Sequence, residues 1–136
     1  MEAWKTVLIA TLLVVAAGCD RLGGYTTASK SAVRSFHEQL NEQRYDDIIS
    51  GATAGFRSSV TSADRHAYFD GVRNGLGQHH DSDRISFSAD SGPSGVGVTV
   101  TLDSRFEFGS AQETFVFVER DEGMVLHDYR INSRVF

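Results

Sequence analysis

The stretch Val96-Gly97-Val98-Thr99-Val100-Thr101-Leu102-Asp103-Ser104-Arg105-Phe106-Glu107-Phe108 repeats with a period of two. Successive side chains of a strand leave on opposite faces. Val96, Val98, Val100, Leu102, Ser104, Phe106 and Phe108 therefore make an inner face, and Gly97, Thr99, Thr101, Asp103, Arg105 and Glu107 a wetted one. A strand with one wet side belongs to an antiparallel sheet covered on a single face, and one this long must coil to stay over a compact core.

On the C-terminal side the same period continues. Glu113 to Glu119 reads as the next strand around Phe115 and Phe117, and Asp121-Glu122-Gly123 as a tight reversal into a last strand from Met124 to Asn132. On the N-terminal side, Ile85, Phe87 and Ala89 form a short first strand, joined through the turn-rich Asp90 to Gly95. Four strands in a meander result.

Before Gln78 the period changes to that of a helix. Ala28, Ala32, Val33, Phe36 and Leu40 form one apolar stripe between residues 28 and 43. Tyr45, Ile48, Ile49 and Ala52 mark a shorter helix that runs out between Gly51 and Gly55. A third is capped by Thr61 or Ser62, has Asp64 in its first turn, buries Tyr68, Phe69, Val72 and Leu76, and ends at Gly75 to Gly77. Helices first and strands afterwards give an α+β fold, with N-terminal helices packed on a curved antiparallel four-stranded sheet.

The chain of 136 residues has room for one domain, and nine Phe and four Tyr supply bulky material for its core. Its formal net charge of −5, with no gathering of Lys and Arg, argues against nucleic acid as a partner. Val7 to Ala17 is uncharged, long enough for the core of an export signal and short of the roughly 20 residues of a bilayer span. Lys5 supplies a positive flank, partly cancelled by Glu2. The lone cysteine, Cys19, follows directly, so a disulfide framework is not its purpose. Asp20 to Thr27, with Gly23 and Gly24, lacks a sustained apolar period and reads as a flexible tether. Residues 1–18 are thus expected to be a signal peptide, 19–27 a modified cysteine with its tether, and 28–136 the folded domain.

Val15-Ala16-Ala17-Gly18-Cys19 resembles the bacterial lipobox, although Ala16 stands where that motif usually has Leu. The resemblance implies cleavage before Cys19, lipid on its thiol and a place in the bacterial cell envelope, with the membrane itself as a partner. Asp20 directly after the cysteine implies retention at the periplasmic face of the inner membrane, by the rule that enteric bacteria follow. The order of elements, together with Phe36 and Leu40, Tyr45-Asp46-Asp47-Ile48, Phe56-Arg57, Leu76-Gly77 and Asp128-Tyr129-Arg130-Ile131, resembles the nuclear transport factor 2-like cone and its small exported bacterial members. A cystatin-like cone is the rival, against which the interruption at Gly51 to Gly55 speaks.

Three sets of residues are candidates for function. His127 and Tyr129 would share a strand face with Val125 and Ile131, placing an imidazole and a phenol in the cone cavity beside Phe36 and Tyr45. That set suits a ligand pocket or the acid–base centre of a small isomerase, dehydratase or hydrolase; its plain alternative is a hydrogen-bonded pair at the rim of the core. His79, His80, Asp81 and Asp83 offer four metal ligands in five residues, though neighbours on an extended chain point apart, and a solvated loop is the plain alternative. His37 and His66 lie off the main helical stripes and are expected at the surface. No nucleophile triad, phosphate-binding glycine loop or paired-cysteine site occurs. The expectation is a non-catalytic lipoprotein domain, without cofactor, that binds an envelope protein, a second copy of itself or a small apolar ligand. The outer sheet face with Thr114, Val116 and Val118 is the expected dimer surface.

Overall fold

In a computed structural model of the chain, the backbone is described for residues 13–93 and 95–134, and side chains from residue 23 onward. Residues 1–12 of the expected signal peptide and the side chain of Cys19 lie outside that description. The elements run α1 (Leu13–Asn41), α2 (Tyr45–Ser50), α3 (Ala54–Ser59), α4 (Ser62–Leu76), β1 (His79–Gly92), β2 (Gly95–Phe106), β3 (Gly109–Arg120) and β4 (Gly123–Ser133). The four strands form one curved, open antiparallel sheet in the order β1-β2-β3-β4, and the helices precede it, as α+β segregation requires. Among the described residues no helix is long and apolar enough to cross a membrane.

Alternation places Val98, Val100, Leu102, Ser104 and Phe106 of β2 opposite Phe117, Phe115, Glu113, Ala111 and Gly109 of β3 on the inner face. Phe36 and Leu40 of α1, Ile48 of α2, Phe56 of α3 and Phe69, Val72 and Leu76 of α4 close over that face. Phe36 is the hub of the aromatic packing, with ring centroids 5.0 Å from Phe115, 4.5 Å from Tyr129 and 5.9 Å from Phe69.

Four local expectations change. Asp20 to Thr27 is helical and belongs to α1, so it is not a limp tether. Tyr25 packs against the core and donates its hydroxyl to Glu119 at 3.2 Å, while Ser29 returns its hydroxyl to Thr26 O at 3.0 Å. These contacts offset the roughly 1 kcal/mol that each of Gly23 and Gly24 costs inside a helix. An additional short helix, α3, follows the expected interruption, where residues 51–53 stay non-helical, because Thr53 caps it by accepting from Phe56 N at 3.2 Å.

The long alternating run contains a hairpin: β2 ends at Phe106, Glu107 and Phe108 make the turn, and β3 begins at Gly109. A two-residue turn keeps the period of two, which conceals it from a pattern reading. The turn is pinned to the end of α4 by Glu107 N donating to Gln78 O and Phe108 N donating to Leu76 O, both 2.9 Å. Finally, β1 starts at His79, so His79 to Asp83 is strand and not loop. Its register shifts between His79 and Asp81 and again between Arg84 and Ser86, which turns Ile85 out of the inner face to 50 % exposure.

Candidate functional site

Glu113 lies on the inner face of β3 in phase with Phe115 and Phe117, and its carboxylate is fully buried. A bare buried charge would cost several kcal/mol; every side of this one is met by a donor. His37 of α1 approaches Oε1 through Nε2 at 2.8 Å, the Ser104 hydroxyl of β2 donates to the same oxygen, and the Tyr129 hydroxyl of β4 donates to Oε2 at 2.6 Å. Burial alone would raise the pKa of Glu113, but the His37 imidazole and the bonds from Ser104 and Tyr129 outweigh it and hold the carboxyl below its usual range. The same burial, with the Glu113 charge beside it, drives the Tyr129 phenol well above 10.

An ionised carboxylate only accepts, and that orders the protons outward from it. His37 must donate through Nε2–H. Ser104, having given its proton to Glu113, accepts from the Ser82 hydroxyl at 2.7 Å, and Ser82 in turn accepts from His79 Nε2–H at 2.7 Å. His79 comes back against the start of the chain of bonds: its ring stacks on that of His37, centroids 3.5 Å apart and planes within 5°. Burial, then the neighbouring His37, lowers His79 from 6.5 to about 4, so its ring is neutral at physiological pH.

The placement of His79 follows from α1. Asn41, the last residue of that helix, accepts from His79 N at 2.7 Å and donates to His79 O at 3.1 Å, clamping the first residue of β1 one turn beyond His37. Between α1 and the β1–β2 hairpin opens a cleft of about 770 Å³. His37 and His79 line it, as do Lys30, Arg34 and Arg84 and the carboxylates Glu38, Asp81 and Asp83.

Of the residues expected to act, Tyr129 and His79 join this network. His127 does not share the inner face: β4 pairs Asp128 with Val116 and Leu126 with Phe117 of β3, so His127 is the extra residue of a bulge, which leaves Leu126 and Tyr129 inward and His127 exposed. Its Nδ1 lies 2.8 Å from Thr53 Oγ1, over the start of α3. Phe36 and Tyr45 are core residues, the latter donating its hydroxyl to Asp70 at 3.1 Å. Neither Tyr129, 4 % exposed, nor Glu113, 0 %, reaches the cleft wall, so neither offers a proton to a molecule there.

The five-residue metal cluster is also dispersed. His80 is the extra residue of a bulge, and Asp81 and Asp83 pair with Arg105 on the outer face, the latter at 3.0 Å. His37 is buried, against the surface expected for it, whereas His66 is partly exposed and lies 2.6 Å from Asp46. Ser82, Ser104 and Glu113 are not among the expected site residues and His37 is expected at the surface, yet a signal existed. Ser104 and Glu113 are polar residues in the apolar phase of their strands, and His37 is four residues beyond Val33 and three before Leu40.

Compared with known proteins, the chain matches no protein-family profile and no curated sequence.

Proposed function

We propose that the protein is a bacterial lipoprotein, held at the envelope membrane by lipid on Cys19, whose nuclear transport factor 2-like domain binds a small acidic molecule in the cleft between α1 and β1. The observation that carries the reading is the cleft itself, a volume of about 770 Å³ lined by Lys30, Arg34 and Arg84 together with Glu38, Asp81 and Asp83; both aspartates are tied to Arg105, which leaves three cations against Glu38 in a chain of net charge −5. A carboxylate or phosphate gains most there, since it meets cations while the rest of the protein repels it. Lipid attachment is supported by the sequence at Val15 to Cys19.

Two measurements test the reading. Mass spectrometry of the native N-terminal peptide is expected to find diacylglyceryl on Cys19. A thermal-shift series with small dicarboxylates and organic phosphates is expected to raise the melting temperature of the full chain, and to lose that effect in Lys30→Ala/Arg34→Ala. An unmodified Cys19 refutes the anchor; a panel without any shift, or shifts that survive the double variant, refutes the ligand class.

A further inference from the structure

Three side chains on three elements, His37 of α1, His79 of β1 and Glu113 of β3, each present a ligand atom, and the three atoms lie within 4.8 Å of one another. We propose that these residues form a metal centre for a zinc-like divalent ion, with its remaining position facing the cleft. The inference goes beyond the binding reading and does not depend on Cys19, nor on which organic molecule the cleft takes.

The donor set is two imidazoles and one carboxylate, the composition of many zinc sites that keep a coordination position open. Distances decide whether the ion fits. Two ligand atoms on one tetrahedral zinc stand about 3.3 Å apart, from bond lengths of about 2.0–2.1 Å. His37 Nε2 and Glu113 Oε1 are 2.8 Å apart. Replacing the shared proton by the ion thus separates them by about half an ångström, and His79 has to swing out of its stack on His37 and give up Ser82 to aim a ring nitrogen at the ion. Both histidines line the cleft, which supplies a route for the ion and room for a water or a ligand oxygen on it.

Zinc sites hold their carboxylates from behind through outer hydrogen bonds. Glu113 has that support already, from Ser104 on one oxygen and Tyr129 on the other. The core gains nothing from such a group that an apolar side chain would not give more cheaply. The Asn41 amide clamp on both backbone groups of His79 acts in the same sense, fixing the ligand that comes from an edge strand. Asp81 and Asp83, tied to Arg105 on the outer face, are not part of the set.

The test uses the full untagged chain in detergent, with Cys19→Ala and His80→Ala, so that neither the lone thiol nor the adjacent imidazole competes. Zinc sulfate is titrated at neutral pH against a chromophoric chelator. One zinc per chain is expected, bound at least about ten-fold more weakly when His79→Ala is added, a loss at the low end of what even outer-sphere changes cause. No binding, or binding indifferent to His79→Ala, overturns the proposal. Should His79→Ala fail to fold, cobalt(II) on the parent chain decides: the intense visible bands of a tetrahedral ion with nitrogen and oxygen ligands support the centre, and their absence refutes it.

Discussion

Glu113 is the residue on which the interior turns. Three donors converge on its carboxylate, so removing it strands His37, Ser104 and Tyr129 together in a dry place. Glu113→Ala is expected to lower stability by about 3–5 kcal/mol in urea unfolding, the usual cost of taking one partner out of a buried pair. Acid should act through the same network. His79 refuses in the folded state a proton that the unfolded chain accepts below 6.5, so its share of stability is whole above pH 6.5 and is lost between there and about pH 4. Glu113, held below its usual range, adds a second loss as the pH falls through and under that range. The His79 share would be roughly 3 kcal/mol at full burial, and about half that for a ring that solvent partly reaches. Denaturant midpoints measured from pH 7.5 to 4.5 should therefore fall steadily, and His79→Gln should flatten the slope above pH 5. Polar residues in apolar phase were visible along the sequence; what joins them was not, because Glu113 and His37 are distant in the chain and the network exists only once α1 lies across the sheet.

At the scale of elements, termini and registers carry the weight. Thr61 caps α4 by accepting from Asp64 N at 3.1 Å, and Thr61→Ala should cost about 1 kcal/mol, read as a lower melting temperature with an unaltered fold. Gly77 ends the same helix at φ +78°, where a Cβ would stand 2.7 Å from Glu107 Cβ. Gly77→Ala should cost more than 1 kcal/mol and loosen the β2–β3 turn, which hydrogen exchange at Glu107 and Phe108 would register. Helix periodicity, the Thr61 cap and the meander were readable because each depends on neighbours in sequence. The bulges at His80, Ile85 and His127 were not, since each is defined by what the adjoining strand does. One such shift is enough to move His127 from the pocket to the surface while Tyr129 stays inside.

For the whole molecule, the expected order of helices and strands holds, and the sheet joins neighbours in sequence throughout. Such local pairing favours rapid folding. If Cys19 is the anchor, a Cys19→Ser chain expressed in a bacterial host should leave the detergent-soluble membrane fraction as a mature lipoprotein and appear only with its leader attached. Fractionation followed by intact-mass measurement distinguishes the two.

The continuity of α1 from residue 13 to residue 41 bears on what the cleft can sense. Positions 19 and 37 are eighteen residues apart on one rod, about 27 Å at 1.5 Å per residue. Electrostatic influence fades over about 8 Å at physiological ionic strength. Acyl chains fastened at the foot of that rod would, with the rod upright, set the two histidines some three screening lengths above the headgroups. The charged side chains around them would then meet solutes in the aqueous space at their own potential, with the charge of the bilayer beneath out of earshot.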